Sequence, residues 1–186
     1  NVNMYDNLAT QRNIERCKTY GIKFVEPGYG LLACGDTGRG KLSDLDHILT
    51  MIDYCLSDKP LKNKRILITA GPTQEPLDPV RYITNHSSGK MGYALCKRAF
   101  EMGAKVTLVT GPTILKHPYG IKVIEVKSAL EMFKAVKDNY QKQDFIIKAA
   151  AVGDYRVKEI ASEKIKKADD VLKLELVKND DILAYL

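Results

Sequence analysis

The chain has 186 residues, 45% of them hydrophobic and 28% charged, with 29 Lys and Arg against 23 Asp and Glu for a net charge of +6. That size and balance suit one globular domain or two small ones with a substantial core, and no apolar run approaches the ~18 residues of a membrane span. The basic excess is scattered in short groups such as Lys164, Lys166 and Lys167, without an arm or stripe, which favours a small phosphorylated ligand over nucleic acid.

In chain order, residues 10–20 can form a short helix with Ile14 and Cys17 on one face, and residues 22–25 a short strand. A loop follows with glycine at 28, 30, 35, 38 and 40. Ser43 opens a clear helix whose Leu45, Ile48, Leu49, Ile52 and Leu56 recur at helical spacing. Residues 59–64 are polar and proline-bearing, the composition of an interdomain linker. Beyond them the pattern becomes strand, loop, helix, strand. Strands are expected at 65–70, 105–110, 121–126, 145–152 and 171–177, and Met91, Ala94, Leu95, Ala99 and Met102 mark a helix ending at Gly103. Ser128 and Glu131 have capping-box spacing at the start of a helix to about Tyr140, and Asn179 is placed to cap a last helix. Alternating strands and helices imply an α/β fold, Rossmann-like and doubly wound, with a largely parallel sheet covered by helices on both faces. The chain starts at Asn1 without a methionine and stops at Leu186 within a helical pattern, so it reads as a fragment of something longer.

The four cysteines, Cys17, Cys34, Cys55 and Cys96, form no CxxC pair and have no His cluster nearby, so no metal site is expected. Nothing resembles a signal peptide, and the default reading is cytoplasmic with reduced thiols. Cys17 and Cys55, on helices, suit a buried structural role; Cys34, between glycines, suits it poorly.

The apolar strand at 66–70 runs into Gly71-Pro72-Thr73, and Ser87-Ser88-Gly89-Lys90-Met91-Gly92 later enters a helix. Glycine-rich backbone at a helix N-terminus offers N–H groups and the positive end of the dipole to a phosphate. The intervening excursion, carrying Glu75, Asp78, Arg81, Asn85 and His86, is too long for a GxGxxG or Walker turn. Gly89 and Gly92 fit equally a close packing of helix on strand.

The run Asp78-Pro79-Val80-Arg81-Tyr82-Ile83-Thr84-Asn85-His86-Ser87-Ser88-Gly89-Lys90-Met91-Gly92 resembles the signature of phosphopantothenoylcysteine synthetases. Ala149-Ala150-Ala151-Val152-Gly153-Asp154-Tyr155-Arg156, Glu163-Lys164-Ile165-Lys166-Lys167 and Val177-Lys178-Asn179-Asp180-Asp181-Ile182 continue the likeness in order, so that it covers residues 62–186. The resemblance implies ligation of 4'-phosphopantothenate to cysteine with CTP and Mg2+, through an acyl-cytidylate, releasing pyrophosphate and then CMP. It implies Asn85 on the substrate carboxylate and acyl-cytidylate and Arg81 on a substrate phosphate or carboxylate. Gly71, Ser87, Ser88, Gly89 and Lys90 would surround the triphosphate, and Ala150, Ala151 and Asp154 would frame the cytidine. Lys164 would close over the phosphates. Asp154 could equally cap a turn, and each lysine could be a solvated charge.

Upstream, Gly30-Leu31-Leu32-Ala33-Cys34-Gly35-Asp36-Thr37-Gly38-Arg39-Gly40-Lys41-Leu42 resembles the substrate flap of flavin-dependent phosphopantothenoylcysteine decarboxylases. The likeness implies that Cys34 protonates the enethiolate left after decarboxylation, and that Asn1, in Asn1-Val2-Asn3-Met4, contacts the substrate carboxylate. It also implies FMN, held by flavodoxin-like sequence that this chain lacks, and a poorly ordered flap without it.

The expected arrangement is the end of a flavodoxin-like decarboxylase domain at 1–60 and a synthetase domain at 61–186, the whole resembling the bacterial bifunctional family of coenzyme A biosynthesis. Family resemblance further implies homo-oligomers, with synthetase dimers assembled further through decarboxylase domains, and neither nucleic acid nor membrane as partner. An NAD-dependent oxidoreductase would need a compact glycine fingerprint and an acidic residue ending the second strand, which ends instead at Thr110-Gly111-Pro112. A non-catalytic nucleotide-binding module is the remaining alternative.

Overall fold

The structure, a computed structural model, describes residues 1–166 and 171–186; Lys167 of the lysine group lies outside them. The chain divides into two units, Asn1–Leu56 and Ser57–Leu186.

In the first unit, α1 (Val2–Asp6) is capped by Asn1, whose side chain accepts from Met4 N, and α2 (Leu8–Thr19) by Asn7, which accepts from Ala9 N. Residues 22–25 form no strand. The pairing falls instead in the glycine-rich segment, where β1 (Gly28–Leu31) and β2 (Thr37–Lys41) make an antiparallel hairpin. Main-chain hydrogen bonds build it, and side-chain propensity gives no sign of them. The flap is a hairpin whose turn is closed by Leu32 N donating to Asp36 O at 2.8 Å and Gly35 N to Leu32 O at 2.9 Å. The amphipathic helix α3 (Leu45–Leu56) ends the unit.

The second unit holds a four-stranded parallel sheet in the order β7-β6-β3-β8, from β3 (Arg65–Ala70), β6 (Lys105–Thr110), β7 (Lys122–Glu125) and β8 (Phe145–Lys148). Side chains alternate across β3. Ile66, Ile68 and Ala70 join Val106 and Leu108 against Tyr93, Cys96 and Ala99 of α4 (Lys90–Glu101). Leu67 and Val109 face the other way, onto Met132 and Val136 of α5 (Ala129–Asn139) and Ile182 of α6 (Ile182–Tyr185). Helices thus cover both faces, as expected. Full burial of such side chains contributes roughly 1.5–3 kcal/mol each.

The Ser128 cap is present: its Oγ accepts from Glu131 N at 3.2 Å, while Glu131 Oε2 accepts from Lys127 N at 2.6 Å, one residue ahead of the usual partner. The polar peptide at 59–64 is bonded into this unit, with Leu61 N donating to Met102 O and Lys105 N to Lys64 O. There are four further departures. The strand expected to run to 152 ends at Lys148, after which only Ala151 bridges back, to Pro72. The strand expected at 171–177 is only β10 (Leu176–Lys178), paired antiparallel with β9 (Tyr155–Val157). The long excursion folds into its own hairpin, β4 (Gln74–Pro76) with β5 (Tyr82–Thr84). Asp181, rather than Asn179, caps α6, its Oδ1 accepting from Leu183 N and Ala184 N.

Candidate active site at the sheet switch point

The chain passes from β3 to β6 and β7 on one side, then returns to β8 on the other. A ligand crevice in such a sheet opens at the carboxyl ends of the strands where the order reverses, here between β3 and β8. Main-chain bonds continue past both strand ends: Ala151 N donates to Gly71 O at 2.9 Å and Thr73 N to Ala151 O at 3.1 Å.

Glycines allow the surrounding backbones to meet. Gly71 and Gly89 have φ of +73° and +74°, and a Cβ on either would lie within 2.9 Å of Thr113 Cγ2. A Cβ on Gly111 would lie 1.7 Å from Pro72 O. Gly92 serves packing, since its Cβ would stand 2.5 Å from that of Ala70.

Gly89 is the left-handed N-cap of α4 and makes no side-chain cap bond. Ser87 Oγ accepts from Gly89 N, and Ser88 Oγ from Lys90 N, both at 3.4 Å. Bonds of that length are weak enough for an anion's oxygens to replace. Ser88 and Lys90 are exposed and Ser87 is half-buried.

Asn85 is brought to the same edge. Its Nδ2 donates to Ala151 O at 3.3 Å and Val152 O at 3.2 Å. Buried Thr73 ties the pieces together: its carbonyl accepts from Thr84 Oγ1 at 2.7 Å and its Oγ1 from Gly153 N at 2.8 Å. Ala150 N donates to Thr69 Oγ1 at 3.3 Å. Asp154 is exposed, and its carbonyl, not its carboxylate, accepts from Asn179 N. Buried Asn179 also donates to Gly153 O at 2.8 Å and accepts from Arg156 at 2.9 Å, so it buttresses the 153–156 turn.

Arg81 makes its contacts within the chain. Its guanidinium donates to Asp78 Oδ2 through Nε at 2.9 Å and Nη2 at 2.6 Å, and Nη2 also reaches Ile165 O at 2.8 Å. The fully buried Asp78 carboxylate accepts from Val80 N, Arg81 N and Ile165 N as well. The Arg81 charge, together with those N–H groups, holds its pKa well below the usual carboxylate range. Lys164 is exposed on the segment bonded there.

Gly71, Asn85, Ser87, Ser88, Gly89, Lys90, Ala150 and Ala151 therefore share one edge, and Arg81 is bonded beside Lys164. Asn1 and Cys34 belong to the other unit. Asn1 caps α1, and Cys34, exposed at the hairpin tip, has its Sγ 3.5 Å from Asp36 Oδ2. Burial goes to a different cysteine than expected: Cys17 is half-buried, Cys55 exposed, and Cys96 buried, which pushes its thiol up to about 12. Sequence reasoning missed Thr73 and the buttress role of Asn179. Their partners lie 80 and 26 residues away, so only the Gly-Pro-Thr turn hinted at the first.

A cavity of about 480 Å³ adjoins this edge, lined by Tyr93, Gly111, Thr113, His117 and Lys127 among others. That volume suits part of a nucleotide. Among the described residues no group of three His, Cys, Asp or Glu could hold a metal ion, and no helix is long and apolar enough to cross a membrane.

Fold and edge together define a doubly wound α/β domain with a polar, glycine-rich edge at the β3/β8 switch point. Residues 61–186 match the family described as DNA/pantothenate metabolism flavoprotein C-terminal domain, and residues 1–57 match the Flavoprotein family. The chain belongs to the DNA/pantothenate metabolism flavoprotein family. It is 48% identical over 186 residues to the coenzyme A biosynthesis bifunctional protein CoaBC of Vibrio vulnificus (strain YJ016), covering 99% of this chain and 46% of that protein. The CoaBC of Escherichia coli (strain K12) is 47% identical over 191 residues, with 99% and 46% covered. The chain thus spans about half the length of these curated relatives. A crystal structure of the C-terminal domain of CoaBC superposes with a TM-score of 0.61 at 47% identity, covering 69% of this chain and 60% of that one. The DNA/pantothenate metabolism flavoprotein from Streptococcus pneumoniae gives a TM-score of 0.58 at 26% identity, covering 65% and 62%.

Proposed function

We propose that this chain carries most of a CTP-dependent phosphopantothenate–cysteine ligase site within a bifunctional enzyme of coenzyme A biosynthesis. One observation carries the reading. Asn85, the Ala150–Ala151 peptide and the Ser87–Lys90 helix start converge at the switch point of a chain 48% identical to a CoaBC protein.

In this reading the phosphopantothenate carboxylate attacks the α-phosphorus of CTP and pyrophosphate leaves. The cysteine amine then attacks the acyl carbon and CMP departs. The α4 N-terminus, with Ser87, Ser88, Gly89, Lys90 and the Gly71 backbone, receives the phosphates, and Lys164 adds a cation. Asn85 Nδ2, already aimed at carbonyl oxygens, donates to the substrate carboxylate and to the oxyanion that forms from it. Ala150, Ala151 and Asp154 frame the cytidine. Arg81 acts by holding the Ile165 peptide. Since the described residues offer no carboxylate cluster, Mg2+ would arrive on the nucleotide phosphates.

The whole protein would also decarboxylate the product, with Cys34 giving a proton to the enethiolate and Asn1 meeting the substrate carboxylate. The described residues of Asn1–Leu56 bury only Leu32, Gly38 and Thr50, too little to enclose FMN by themselves. The assembly is a cytoplasmic homo-oligomer with synthetase dimers.

The test is turnover by the full-length protein. Supplied with 4'-phosphopantothenate, cysteine and CTP, it should release CMP and pyrophosphate in equal amounts. No nucleotide-dependent product, together with a thermal shift by NAD and none by CTP, would overturn the reading.

A further inference from the structure

We propose that Asp78 is a positioning residue: its buried carboxylate, with Arg81 as its partner, pins the strap that presents Lys164 to the turn leading to Asn85. The inference rests on the ligase reading for its catalytic consequence, though not for its structural one.

The strap, residues 161–165, is fastened at both ends to the turn at 77–81. At one end Ala161 N donates to Leu77 O at 3.0 Å. At the other, Ile165 N donates to Asp78 Oδ2 at 3.1 Å while Arg81 Nη2 donates to Ile165 O at 2.8 Å. Ser162, Glu163 and Lys164 stay exposed between these two pins, and Ile165 is half-buried. The Lys164 ammonium is thus carried on a short polar span whose flanking peptides cannot drift independently.

Asp78 is what makes the second pin. Its side chain has no solvent exposure and accepts from three backbone N–H groups and the guanidinium, so both oxygens are satisfied without water. Two of those N–H groups, on Val80 and Arg81, shape the turn itself, and Arg81 directly precedes β5, whose far end leads to Asn85. One carboxylate therefore sets the strap relative to the residue that receives the reacting carboxyl. The isosteric change to an amide would replace an acceptor oxygen by a donor in a nest of donors. It would break at least one of these bonds without changing the volume. Misplacement of a charged group by about an ångström costs on the order of 100-fold in rate.

Asp78→Asn in the full-length enzyme provides the test, with two readouts. Amide hydrogen exchange across residues 161–166 should quicken by about 10-fold or more while the sheet stays protected. The kcat for ligation should fall about 10- to 100-fold with KM for CTP changed much less. Against a Lys164→Gln background, Asp78→Asn should cost clearly less than it does in the wild type, because the strap it pins acts through that ammonium. If Asp78→Asn does not fold, Ala161→Pro removes the N–H of the other pin and should change exchange and kcat in the same direction. Unchanged exchange at 161–166, or a rate loss that is fully additive with Lys164→Gln, would overturn the proposal. A wild-type enzyme without CTP-dependent ligation would sink the ligase reading alone, since the exchange result does not depend on it.

Discussion

Asn85 donates through Nδ2 to two carbonyl oxygens, at 3.3 and 3.2 Å. A carboxylate there would face those oxygens and a substrate carboxylate with repulsion only. Asn85→Asp in the full-length enzyme should therefore lower ligation kcat by a barrier change of about 3 kcal/mol, with CTP affinity, measured by calorimetry, shifted far less. Near-normal turnover would refute the role. The cysteines divide by burial. Thiol reagents at pH 8 should label exposed Cys34 and Cys55 in the native protein and reach Cys96 only on unfolding, since burial keeps it a neutral thiol. In the full-length enzyme Cys34→Ser should abolish decarboxylation and spare ligation, and equal loss of both would make Cys34 a structural residue. Asp78 supplies a pH dependence. Its folded pKa lies below the ordinary 3.8, so its contribution to stability is complete above that value and is lost as pH falls through the folded value. Urea midpoints between about pH 5 and 2 should fall more steeply for the wild type than for Asp78→Asn.

At the level of elements, the site depends on how closely α4 approaches β3. Gly92 sits where any Cβ would be 2.5 Å from Ala70 Cβ and 3.2 Å from Thr69 O. Gly92→Ala should destabilise by about 1–3 kcal/mol, read by urea denaturation, because the helix must lift from the strand. Unchanged stability would mean that the contact yields easily. The patterns that locate α4, α5 and the strands at 65–70 and 105–110 are plain in the sequence, because each helix buries one apolar face at helical spacing and each strand is a short, nearly continuous apolar run buried on both faces. Short pairings such as β1 with β2, β4 with β5 and β9 with β10 carry no such pattern. Their strands are three to five residues long and lack a repeating apolar face, and main-chain pairing is what chiefly defines them.

For the whole molecule, the distribution of the core is uneven. Both buried apolar clusters are drawn from residues 66–182, whereas Leu32 is the only buried hydrophobic residue described in Asn1–Leu56. Residues 57–186 should therefore keep a cooperative thermal transition when residues 1–56 are removed, and residues 1–56 alone should show no such transition. Circular dichroism melts of the two pieces check this, and a non-cooperative melt of 57–186 would show that the first unit supports the second.

The sequence by itself determined the α/β class, the main strands and helices, and the glycine-bearing helix start after Ser87. Those features follow from residue periodicity and from the unpaired N–H groups that every helix start presents. It also carried the family motifs on which Asn85, Lys164 and Cys34 were singled out. Tertiary structure alone decided that Arg81 is committed to Asp78 and Ile165, that Asn179 buttresses Gly153 instead of capping α6, and that Cys96 is the buried thiol. Except for the Arg81–Asp78 pair, three residues apart, those outcomes depend on groups far apart in the chain competing for one donor, one acceptor or one place in the core. Local propensity cannot rank such competitors, because only the folded chain brings them together.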